Sequence, residues 1–111
     1  MKTIPVVTTE TIPGQTIAST CGIVRGNTIR ARHIGRDILA SFRNIVGGEI
    51  NDYTKLMAES REQALDRMVD EARALGADAI VSCRFTTSML AQGAAELLVY
   101  GTAVRLAEKS E

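Results

Sequence analysis

The segment "AELLVYGTAVRL", residues 95–106, constrains this chain more than any other stretch. Read as a strand, it sends Leu97, Val99, Gly101 and Ala103 to one side and Leu98, Tyr100, Thr102 and Val104 to the other. Both sets are largely apolar, whereas a strand with one wetted face alternates apolar and polar residues, so this strand requires cover on both sides. "AIVSCRFTTSM" precedes it across the turn "LAQG", with Val81, Cys83 and Phe85 pointing one way and Ser82, Arg84 and Thr86 the other. The first set suits a core.

The clearest periodicity lies upstream. Met57, Ala64, Met68, Ala72 and Leu75 recur at helical steps, while Lys55, Glu59, Glu62, Asp66, Asp70 and Arg73 form a polar stripe. Asn51 or Asp52 is placed to cap the start, Gly76 to end the helix in a left-handed conformation, and "ADAIV" turns at once to strand character. A shorter helix is expected to begin near Gly35 to Asp37 and to present Ile38, Leu39, Phe42, Ile45 and Val46 before Gly47. Before it, "QTIASTCGIVR" reads as a strand from Gln15 to about Arg25, stopped by "GN", with Gly22 as a bulge or a point of close approach. "TIPVVTT" is short, and Pro5 cannot donate to a ladder, so residues 1–12 hold a peripheral strand; the tail 107–111 is solvated and frays. These elements make one domain over residues 1–111, an α+β two-layer sandwich whose helices cover one face of a small antiparallel sheet.

The opposite face then lacks cover. Full burial of side chains such as Leu98, Tyr100 and Val104 contributes roughly 1.5–3 kcal/mol each, so a second copy of the chain is the expected cover, and a ring is the closed form of a head-to-tail contact. Other partners are disfavoured by composition: 13 basic residues balance 13 acidic ones, leaving no field for nucleic acid or an anionic membrane. Two Tyr and two Phe are too few for a nucleic-acid stacking platform. Nowhere do about 18 apolar residues run together, and "MKTIPVVTTETIPG" has no apolar signal core, so the expected location is cytoplasmic, with Cys21 and Cys83 reduced.

"CGIVRG", "GRDILASFRNIVGG", "SREQALDRMVDEARALGADAIV" and the closing "YGTAV" occur in an order that resembles the YbjQ family of small bacterial proteins, commonly described as heavy-metal-binding. The resemblance runs from about Pro13 to Arg105. It implies a dodecin-subunit-like α+β unit with a three-stranded antiparallel sheet and the C-terminal strand in the middle. It also implies assembly as a pentameric, propeller-like ring, with short extra strands joining subunits.

A heavy-metal ion needs soft or imidazole ligands, and the candidates are Cys21 and His33, with Cys83 assigned instead to packing beside Val81 and Phe85. No C-x-x-C or H-x-x-x-H pair gathers them, so a site built on Cys21 draws its other ligands from scattered elements or further copies; the alternative is an inert interior thiol. Glu59, Glu62, Asp66 and Asp70 share a helix face that suits a hard cation, but solvated stripes flanked by Lys55 and Arg73 look the same. "VGGEINDY" fits neither GxxxxGK[ST] nor GxGxxG, and Glu49 and Asp52 repel phosphate, so Gly47 and Gly48 read as a hinge. Arg36, Asp37 and Arg43 suit ion pairs within or between subunits. Ser19, Ser41, Ser60 and Ser82 lack a nucleophile-elbow setting, and the lone His33 has no evident orienting carboxylate. The reading is a non-enzymatic homopentamer that binds a heavy-metal ion or small ligand; the alternative is a ring scaffold or interaction module without a bound ligand.

Overall fold

A computed structural model describes residues 3–31, 50–91 and 94–108. Its elements are β1 (Ile17–Ala31), α1 (Ile50–Ala74), β2 (Ala79–Ala91) and β3 (Ala94–Leu106). The strands form one antiparallel sheet in the order β1-β3-β2, and α1 lies on one face, chiefly over β1 and β3. The last strand is central, as the resemblance implied, and the chain is an α+β unit. The expected shorter helix, with Arg36, Asp37, Arg43, Gly47 and Gly48, falls outside the described residues.

β1 does not stop at Arg25. It continues through Gly26 and Asn27, which pair with Val99 and Leu98, to Ala31 opposite Ala94. Gly26 marks a close approach and not a turn: a Cβ there would overlap the Ala64 carbonyl oxygen of α1 and lie 2.6 Å from the Met68 nitrogen. The missing side chain is what lets the helix backbone settle onto the sheet. Gly22 does form the anticipated bulge, at φ 121° beside the register shift between Thr20 and Gly22.

α1 buries Ala64, Met68 and Ala72 against Val24, Val99 and Ala103, with Met57 half-buried. Ser60 continues that buried row, and its carbonyl lies 3.5 Å from the Thr28 hydroxyl, a long donor contact in an otherwise apolar layer. Two details depart from expectation. Asn51 and Asp52 lie inside the first turn of the helix and do not precede it. Leu75 is 45% exposed because it falls just beyond the helix, in the reversing turn. There Ala77 N–H donates to Ala72 O at 3.0 Å and Gly76 N–H to Arg73 O at 2.9 Å, with Gly76 at φ 75°, the paired bonds of a Schellman cap.

β2 overturns the simple alternation. Ser82 has φ 55°, and the register shifts between Val81 and Arg84. This bulge adds one residue to the strand, so side chains beyond it change face relative to those before it. Ile80 and Cys83 therefore both enter the helix-side core, while Val81 joins Ala79 and Val104 on the opposite side. Phe85, expected in the core with Val81, is 44% exposed, on the strand that α1 covers least.

The N-terminal segment explains the second cluster. Ile80 N–H donates to Pro5 O and Val7 N–H to Ile80 O, each at 2.9 Å, in a parallel arrangement along the outer edge of β2. Ser82 and Cys83 N–H groups donate to Thr9 O at 2.9 Å and Val7 O at 3.0 Å, so the bulge is held from outside the sheet. The chain then reverses at Ile12 to Gln15, where Pro13 and Gly14 (φ 79°) make a type II turn closed by Gln15 N–H to Ile12 O at 3.1 Å. Val7 and Ile12 from this strap pack with Ile17 and Leu106 on Ala79, Val81 and Val104. Val104 was expected to await a neighbouring subunit; at 1% exposure it is already covered by its own chain.

Replacing Gly26 by Ala forces a methyl into the α1 backbone, with no flexible side chain to yield. Urea unfolding of Gly26→Ala is expected to show a loss of about 2–4 kcal/mol, whereas the same change at the open Gly22 position acts only through its positive φ and costs about 1 kcal/mol.

Candidate functional site

Among the described residues, nothing beyond the strap covers the sheet face opposite α1. Its lateral rows follow from the register: Ile23 beside Thr102; Arg25, Tyr100 and Arg84; Asn27, Leu98 and Thr86; Ile29, Glu96 and Ser88. Ile23 is 71% exposed, Ile29 50% and Tyr100 39%, with Leu98 half-buried. Polar groups frame these apolar side chains. Asn27 Nδ2 donates to Glu96 Oε2 at 2.9 Å, and Arg84 Nη1 donates to the Thr8 and Cys83 carbonyls, each at 2.8 Å, tying the strap to β2. Arg84 still carries its charge on this face, since carbonyl partners do not neutralise it.

The two thiols occupy different environments. Cys83 is 4% exposed, and burial pushes its pKa above the ordinary 9.0, with the nearby Arg84 cation opposing the shift. A metal takes the thiolate, so the Cys83 site resists coordination. Its packing role agrees with the sequence reading, although its neighbours are Ile80, Val99 and Ala103, and Val81 is not among them. Cys21 is half-buried against the edge of the helix-side core, one residue before the Gly22 bulge on the outer strand β1. His33, its proposed fellow ligand, lies outside the described residues.

No group of three or more His, Cys, Asp or Glu side chains among the described residues is arranged to hold a metal ion. The donor set of one copy, as described, does not fit a tetrahedral soft-metal centre. Glu59, Glu62, Asp66 and Asp70 are exposed along the outside of α1, where Arg73 approaches Asp70 at 3.4 Å. They form the solvated stripe anticipated from spacing. Neither Arg25 nor Arg84 was singled out by motif. Arg84 was legible only as the outward partner of Cys83, and Arg25 was taken for a strand end. No described helix is long and apolar enough to cross a membrane.

Comparison with other proteins places this geometry. A family model described as "Putative heavy-metal-binding" matches residues 4–107. A UPF0145 protein of Archaeoglobus fulgidus is 58% identical over 105 residues, covering 95% of this chain and 97% of that protein. One from Clostridium perfringens is 56% identical over 99 residues, covering 89% and 93%. The relatives thus include archaeal as well as bacterial proteins, which widens the bacterial attribution expected from the motifs. A crystal structure of a protein with unknown function of the DUF74 family, from Pediococcus pentosaceus, superposes with a TM-score of 0.61 at 16% identity and covers 94% of this chain and 98% of that one. At that identity the likeness supports the fold.

The Cys83 environment sets a pH dependence. An unfolded thiol ionises near its ordinary value, while the folded one holds its proton to higher pH. Above that ordinary value the unfolded chain therefore carries fewer protons, and stability falls as pH rises; below it the contribution is fully present. Denaturant titrations from pH 7 to about pH 10 are expected to show a steeper alkaline loss in the wild type than in Cys83→Ala, which is itself weaker at neutral pH by about 1–2 kcal/mol from the small void.

Proposed function

The chain belongs to the YbjQ family, whose description is "Putative heavy-metal-binding", and from that membership we propose that it acts as a non-catalytic homo-oligomer, a pentameric ring in the cytoplasm, that coordinates a soft metal ion only as an assembly. The carrying observation is the sheet face opposite α1, where, among the described residues, Ile23 is mostly exposed and Ile29 and Tyr100 are exposed to half and somewhat less in the single chain. Side chains of this size on a regular, twisted sheet favour a fitted protein surface over solvent. A second copy supplies it without requiring another gene product.

Metal binding follows from assembly in this reading. One copy brings Cys21 as its accessible soft donor among the described residues, and ring symmetry multiplies that donor. Thiolates from several copies reach the ligand number that one chain lacks. A ring scaffold without a ligand is the second reading, favoured by the absence of a ligand cluster among the described residues of one chain.

Native mass spectrometry of freshly purified protein, combined with elemental analysis and cadmium titration of the reduced chain, separates these readings. The expected result is an oligomer that binds cadmium at micromolar or tighter affinity, loses it in Cys21→Ala and keeps it in Cys83→Ala. An oligomer indifferent to cadmium supports the scaffold. A monomer at micromolar concentration removes both.

A further inference from the structure

We infer that the open sheet face of one copy receives the acidic outer face of α1 from the next, an arrangement that rests on the homo-oligomeric reading above and specifies the surfaces that meet. The two surfaces are complementary in charge where the arginines lie, while Glu96, two rows away and bonded to Asn27 Nδ2, is the one carboxylate among the four rows. On the sheet, Arg25 and Arg84 flank Tyr100 in one lateral row, and neither faces a carboxylate at ion-pair distance among the described residues. On α1, Glu59, Glu62 and Asp66 are exposed and likewise lack a cationic partner among the described residues, while Asp70 has Arg73.

The surfaces also match in length. Four lateral rows, from Ile23 to Ile29, extend about 20 Å along the strands at roughly 3.3 Å per residue. The carboxylates from Glu59 to Asp70 extend about 16 Å at the helical rise. A helix laid along the strands crosses the single lateral row of Arg25, Tyr100 and Arg84, where carboxylates one turn apart, such as Glu62 and Asp66, are placed to meet the two guanidinium groups. The methylene stems of those carboxylates and of the arginines then cover Ile23 and Tyr100.

Geometry fixes the mode of association. The open face and the outer face of α1 lie on opposite sides of the two-layer unit, so one contact leaves each surface type available on the far side of the pair. The contact is heterologous and propagates until it closes.

Sedimentation velocity of the full chain tests the contact. Arg25→Glu and Asp66→Lys are each expected to weaken assembly by about tenfold without changing the circular dichroism spectrum, and raised salt to weaken the wild type further. The double variant Arg25→Glu/Asp66→Lys restores assembly, since the charges meet again with signs exchanged. Single reversals that leave an assembled protein unchanged overturn this interface while the oligomer stands, and so does a loss that the double variant fails to recover. A monomeric wild type overturns the oligomer itself, and the interface with it.

Discussion

The two backbone ladders of β3 are the constraint from which the rest of this structure follows. β3 pairs with β1 from Ala94 to Leu106 and with β2 over nearly the same span, so neither of its edges meets solvent. A strand so enclosed must present two faces to other layers, and the chain provides two of different kinds. α1 covers the face carrying Val99 and Ala103, while the strap covers the end of the other face at Val104. Gly101 lets β2 press close against β3: a Cβ there would lie 2.6 Å from Ile80 Cγ2 and 3.1 Å from Val81 O, beside the β2 bulge. The central strand is thin where its neighbour bends.

That bend links the strap to the core. The left-handed Ser82 turns Cys83 inward and leaves backbone N–H groups at residues 82 and 83 aimed at the outer edge, where Thr9 and Val7 carbonyls accept them. Buried donors need such partners, so the bulge and the N-terminal segment stabilise one another. Arg84 adds a charged donor to the Thr8 carbonyl from the open side. The strap is therefore an integral part of the sheet, although some seventy residues separate it in sequence from the strand it joins.

That separation accounts for what could and could not be read from the sequence. Local signals sufficed for α1, since Ala64, Met68 and Ala72 repeat at helical steps and Gly76 stops them, and for the two-sided character of β3. Gly22 and Pro5 also declared their roles, as a bulge and an edge. Gly26 did not, because a glycine that admits a helix backbone looks in sequence like one that ends a strand. The Ser82 bulge was hidden for a related reason: period-two alternation assumes a regular strand, and serine carries no mark of a positive φ. The cover on Val104 depends on a contact from the far end of the chain, which periodicity cannot report. At the candidate site, the packing role of Cys83 was legible from the strand around it, whereas the partial exposure of Cys21 was not, since an interior thiol and a ligand look alike in sequence. The Arg25–Tyr100–Arg84 row was not, since it exists only once three strands are in register.

The strap and the open face divide one task between a local and an external solution. Residues 3–16 are long enough to cross the sheet once, at the end where β1 starts and β3 finishes, and they bury Ala79, Val81 and Val104 there. Covering the remaining rows from Ile23 to Ile29 would need a second crossing, and among the described residues none makes it, since the strap passes into β1 beside the Ala107 N–H to Thr16 O bond. The apolar residues left over lie on a rigid surface with fixed register, so whatever covers them is held in a defined orientation. Cys21 lies two residues before Ile23 on the same outer strand, across the Gly22 bulge and packed on the helix-side core. In the assembly proposed here, a neighbour that holds β1 at Ile23 would act on the thiol through that bulge, from the opposite face of the strand, which is how a chain with scattered ligands can make its metal chemistry conditional on assembly.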